Sequence, residues 1–133
     1  MTDNHTYNVL VVDDNEMNRD MLSRRLAKSG YTVELAEDGA SALQMLGNNH
    51  FDMVLLDIMM PGMDGTQVLQ HMKQNPELRT VPVIMLTAVH DKKQVVQCLK
   101  LGAESYVVKP FDIDALKARI QETLIKKKLC SLQ

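Results

Sequence analysis

Five residues in this chain have the types and placement to act together. Asp13 and Asp14 follow the apolar run Val9–Val12, Asp57 follows Met53–Leu56, Thr87 follows Val83–Leu86, and Lys109 follows Val107 and Val108. A single Asp after an apolar strand is ordinarily a turn or helix-capping residue. Four strand ends that deliver three carboxylates, a hydroxyl and an ammonium call for more than capping. Three acids in one place repel one another unless a cation joins them, and a hard divalent ion with oxygen ligands, Mg²⁺, is the natural partner. Lys109 supplies a fixed positive charge suited to a phosphoryl oxygen or to Asp57 itself, and Thr87 supplies one hydrogen-bond donor. Metal, ammonium and hydroxyl around one carboxylate are the parts that phosphoryl transfer needs, because that reaction is mostly in-line positioning and charge neutralisation. Asp57 would be the nucleophile, forming an aspartyl phosphate.

These residues converge only if the elements carrying them are parallel strands of one sheet. Short apolar runs alternate with longer amphipathic ones five times. Strands are expected at about 8–13, 32–36, 52–57, 82–87 and 104–108, and helices near 15–29, 39–47, 64–74, 91–101 and 112–127. The first, third and fourth strands are continuously apolar, as burial on both faces of a parallel sheet requires. Right-handed crossovers then place helices on both sides, a doubly wound α/β sandwich whose ligands bind beyond the C-terminal strand ends. The second strand ends at Ala36 and Glu37, as an edge strand away from that crevice would. Gly30 and Gly102 stand where the first and fourth helices should stop, and Asp112 is placed to cap the last. The spacing of Ile113, Leu116, Ile120 and Leu124 requires one buried face on that helix. Gly62 and Gly65 give the loop after Asp57 backbone freedom and close approach, and Ala88 leaves room beside Thr87.

Composition narrows the function further. The chain has 133 residues, 45% hydrophobic and 24% charged, enough for one domain with its own core. Fifteen basic and seventeen acidic side chains give a formal charge of −2, which provides no electrostatic reason to bind nucleic acid. Cys98 and Cys130 lack metal-ligand spacing, which fits a reduced compartment. No apolar run approaches the roughly 20 residues needed to span a bilayer, and Met1–Tyr7 is polar, unlike a signal peptide. A soluble, cytoplasmic protein with no membrane contact is expected. His5, His50, His71 and His90 show no ligand spacing and read as solvated, with a minor gating role open for His90 near the site mouth. The ten methionines read mostly as core filler, with Met60 and Met63 available as a soft partner surface. Lys126-Lys127-Lys128 suits the negative end of the last helix.

In order and spacing, four segments resemble the receiver domain of two-component response regulators: Val11-Val12-Asp13-Asp14, Leu55 through Gly65, Leu86-Thr87-Ala88, and Gly102 through Phe111. The resemblance spans about Asn8 to Lys126. It implies an N-terminal tail over 1–7, a receiver domain over 8–127 and a C-terminal tail or linker stub over 128–133, with strand order 2-1-3-4-5. It also implies that Asp57 accepts a phosphoryl group from a histidine kinase or phosphotransfer protein. Asp14, Asp57 and the Met59 carbonyl would hold Mg²⁺, while Asp13 orients metal-bound water. Thr87 and Lys109 would bind phosphoryl oxygens, and Lys109-Pro110 falls where the family has a cis peptide. Tyr106 stands at the switch position, with output to a downstream domain or target protein through the fourth helix, fifth strand and fifth helix. Such a protein catalyses only its own phosphorylation and dephosphorylation and is not an enzyme in the ordinary sense.

Some positions depart from the family pattern. Met59 and Val89 are apolar where the family tunes hydrolysis, so slow self-dephosphorylation is expected. Ser105 and Lys100 replace acids used by one dimerising subgroup. Two other readings stand beside the receiver: a haloacid-dehalogenase-like phosphatase, which normally wants a second Asp where this chain has Met59, and an interaction module with a vestigial site.

Overall fold

A computed structural model describes residues 6–88 and 92–131. The element order is β1 (Asn8–Val12), α1 (Glu16–Lys28), β2 (Thr32–Ala36), α2 (Gly39–Asn48), β3 (Met53–Asp57), α3 (Gly65–Gln74), β4 (Val83–Thr87), α4 (Lys92–Leu101), β5 (Ser105–Val108) and α5 (Ile113–Ser131). All five strands are parallel, in the order β2-β1-β3-β4-β5. This is the doubly wound architecture expected from the alternation. The readings of Val89, His90 and His5 lie outside the described residues, as does the side chain of Cys130.

The period of two along a strand sorts the central residues onto opposite faces. Leu10, Val12, Val54, Leu56, Val83 and Met85 meet α2, α3 and α4 through Ala42, Leu46, Val68, Leu69, Met72 and Cys98. Val9, Val11, Met53, Leu55, Ile84 and Leu86 meet α1 and α5 through Leu22, Leu26, Leu116, Ile120 and Leu124. Both cores are sealed, so β3 and β4 are buried along their whole length. The outer strands β2 and β5 contain exposed positions instead.

Local chemistry sets the helix ends. Asn15, Asp38 and Asp64 cap α1, α2 and α3, each accepting a hydrogen bond from a backbone N–H of the first turn. Asp64 forms a reciprocal capping box with Gln67. Asp112 accepts from the N–H groups of Asp114 and Ala115 at the start of α5. The expected stops at Gly30 and Gly102 are present, both at positive φ.

Two expectations change. Helix α5 continues to Ser131, past residue 127, because no breaker stands after the lysine run and good helix formers continue through it. The stretch from 128 to 131 is helical. Met60 and Met63 also do not form a soft surface: Met60 is buried and Met63 packs against the same core. Among the described residues, the exposed methionines are Met17 and Met59, at 81% and 57%.

Candidate functional site

Parallel pairing brings the ends of β1, β3 and β4 to one edge of the sheet, and the chemistry collects there. Val12 stands opposite Leu56, and Asp57 opposite Leu86, so Asp13 and Asp57 leave adjacent strands side by side. Carboxylate oxygens of Asp13, Asp14 and Asp57 lie within 4.8 Å of one another. Asp13 and Asp57 are buried, while Asp14 is exposed. The donor set is all oxygen, with no nitrogen or sulfur, which suits a hard cation that keeps part of its water shell.

Lys109 closes the pit from β5. Its Nζ is 2.9 Å from Asp57 Oδ2 and 3.3 Å from Asp13 Oδ2. The Lys109 backbone N–H donates to the Thr87 carbonyl at 2.7 Å, and the Lys109–Pro110 peptide bond is cis. Thr87 is buried, and its hydroxyl donates to the Ala88 carbonyl at 3.1 Å. No hydrogen bond joins it to Asp57.

Burial raises the Asp57 carboxyl above its ordinary 3.8, and the balance of all its surroundings leaves it at about 6. The hydrogen bond and charge of Lys109 pull it down, and the neighbouring charges of Asp13 and Asp14 push it up again. For Lys109, burial pulls the ammonium down, but its contacts with Asp57 and Asp13 outweigh that and leave it raised. The pit thus holds more negative charge than one ammonium neutralises, which is the condition for capturing a divalent cation.

The loop after Asp57 is shaped by its glycines. A Cβ on Gly65 would collide with the Asp57 carbonyl oxygen, so α3 can start this close to the strand only with glycine there. Gly62 adopts φ +75°, which favours glycine. The Met59 N–H points to Asp57 Oδ1 at 3.3 Å.

Three residues of this site escaped the sequence reading. Asp13 Oδ1 accepts the Asn15 N–H at 2.9 Å, Oδ2 accepts Asn18 Nδ2 at 3.3 Å, and the Asp13 carbonyl accepts Arg19 Nη1 at 2.7 Å. Both carboxylate oxygens of Asp13 are therefore already engaged. Asn15 caps α1, so residues 18 and 19 sit on its first turn, beside the strand end. Tyr106 is 42% exposed, beside an open groove of 450 Å³ that Thr87, Val95 and Leu99 also line.

Comparison with known proteins agrees with this geometry. The model of the family described as "Response regulator receiver domain" matches residues 9–121. Response regulator MprA of Mycobacterium ulcerans is 40% identical over 121 residues, covering 91% of this chain and 51% of that protein. Regulatory protein AtoC of Escherichia coli is 42% identical over 116 residues, covering 87% of this chain and 25% of that protein. The crystal structure of a putative response regulator from Chloroflexus aurantiacus superimposes with a TM-score of 0.87 at 33% identity, covering 91% of this chain and 99% of that one. The chain spans about half the length of the MprA proteins it matches.

Proposed function

Because this chain belongs to the family of response regulator receiver domains, we propose that Asp57 accepts a phosphoryl group from the phosphohistidine of a sensor kinase or phosphotransfer protein. The observation carrying this reading is the junction of Asp57 with Lys109 at 2.9 Å inside a cluster of three carboxylates. In the transfer, an Asp57 carboxylate oxygen bonds to phosphorus as the phosphorus–nitrogen bond breaks, and the electron pair returns to the donor imidazole, which takes up a proton.

Asp14, Asp57 and the Met59 carbonyl would hold Mg²⁺, with Asp13 in an outer, water-orienting role. That division is supported by the donors already present: three meet the Asp13 carboxylate (Asn15, Asn18 and Lys109) and two meet that of Asp57 (Met59 and Lys109). Bound Mg²⁺ supplies neutralisation of the charge on the phosphoryl oxygens. Lys109 contributes the fixed cation on the other side, and the Thr87 hydroxyl is free to rotate from the Ala88 carbonyl to a phosphoryl oxygen. The readout is an output domain or target protein engaged through α4, β5 and α5, with Tyr106 as the switch. No helix among the described residues is long and apolar enough to cross a membrane, and we assign the domain to the cytoplasm.

The test is incubation with a small phosphodonor, with Mg²⁺ or with chelator, following both protein labelling and free phosphate. The receiver reading predicts one acid-labile phosphoryl group per chain, dependent on Mg²⁺. Many phosphates released per chain without stable label would indicate a phosphatase, and no labelling would indicate a vestigial module.

A further inference from the structure

At the opposite edge of the sheet from Asp57, four cations gather around one groove. Lys73 comes from the end of α3, Arg79 from the connection into β4, and Lys126 and Lys127 from α5. The groove encloses about 430 Å³ and carries a single carboxylate, Glu104, with the hydroxyl-bearing Thr123 in its wall. That is a local excess of three positive charges on a chain whose formal charge is −2.

The cations are not accounted for by internal pairing. Glu104 meets Lys126 only at 3.8 Å, and no ion pair involves Arg79 or Lys127 among the described residues. Helix-end compensation does not explain Lys126 and Lys127 either, since α5 runs on to Ser131 and the basic residue of its last turn is Lys128. Lys73 is held in place: its Nζ donates to the Arg79 carbonyl at 3.0 Å, and its stem crosses Gly102, where an added Cβ would lie 3.0 Å from Cε. Burial also pulls the Lys73 ammonium below the ordinary lysine range, against the raising effect of Glu104. Holding a partly dehydrated ammonium without a close carboxylate disfavours its charged form unless an anion arrives from outside.

We propose that this groove between α3, β4, β5 and α5 binds a small multiply charged phosphate, of the diphosphate class. The volume falls within the range of small-molecule sites, and clustered Lys and Arg side chains match phosphate oxygens in charge and hydrogen bonding. The site is independent of chemistry at Asp57, and its test does not require Asp57 to be phosphorylated.

The test is amide NMR of the full chain without Mg²⁺, titrated with inorganic pyrophosphate and separately with ADP at constant ionic strength. Saturable shifts are expected at Thr80, Glu104 and Thr123. Arg79→Gln and Lys127→Gln should each weaken binding about fivefold, and Glu104→Gln should tighten it about as much, as expected for loss of one partly exposed charge interaction. Tighter binding of ADP would assign the diphosphate to a nucleotide, and equal affinity would assign it to the inorganic anion. Shifts that do not saturate, shifts spread along α5 away from the groove, or affinities unchanged in all three variants would overturn the proposal.

Discussion

Asp57 is distinguished from its neighbours by what surrounds it: 3% exposure, one ammonium and two further carboxylates. Its folded-state pKa is raised, so the protonated form is favoured by folding. The associated stability is present below the ordinary value of 3.8 and is lost as pH rises through about 6. Without divalent cation, the chain should therefore lose on the order of 2 kcal/mol from this group between about pH 4 and pH 7. Asp57→Asn should remove that component, which denaturant titrations of both proteins across pH would measure; parallel profiles would contradict it. Lys109→Gln removes the group that pulls Asp57 down. The Asp57 midpoint, followed by carboxyl carbon NMR, should then rise by about one unit, and an unchanged midpoint would show that the ion pair is not what tempers burial. At the mouth, the exposed Met59 side chain has no group to orient an attacking water. Met59→Asn should shorten the half-life of the phosphorylated form, and a longer half-life would count against the hydrolysis reading.

At the scale of elements, the close approach of α3 to the end of β3 is the most demanding feature. Gly65→Ala would drive a Cβ into the Asp57 carbonyl. Thermal unfolding should register a loss of at least about 2 kcal/mol, together with weaker Mg²⁺ binding as the loop shifts; wild-type values for both would refute the role given to Gly65. The same scale shows why parts of the site were legible before the structure. Val9–Val12, Met53–Leu56 and Val83–Leu86 are apolar throughout, so their polar successors Asp13, Asp57 and Thr87 marked the strand ends directly. Asn15, Asn18 and Arg19 were not legible because their donors act on Asp13 through the geometry of one helical turn, and polar residues on a first turn look the same when they only face water. The length of α5 was missed for a related reason: no Gly or Pro closes it, and a lysine run reads equally as a helix end or a helix interior.

For the whole molecule, two sealed cores lie on either side of one sheet, and a different charged cluster stands at each end of its strands. The carboxylates of Asp13, Asp14 and Asp57 cluster at one, and Lys73, Arg79, Lys126 and Lys127 line a groove at the other. The order of elements was readable from alternation alone, while the strand order followed from the family resemblance and could not be fixed by periodicity. If Tyr106 reports the state of Asp57, the phosphate mimic beryllofluoride should shift amide resonances of α4 and β5, and Tyr106→Ala should reduce that response. An unchanged response would remove Tyr106 from the switch.

The most direct measurement is to phosphorylate the intact chain with a small donor and Mg²⁺, trap the acyl phosphate by borohydride reduction, and locate the reduced residue by peptide mass mapping. Modification confined to Asp57, absent in Asp57→Asn and lost with chelator, is the expected result. Modification at Asp13, Asp14 or a site outside the pit, or labelling that persists in Asp57→Asn, would contradict the account.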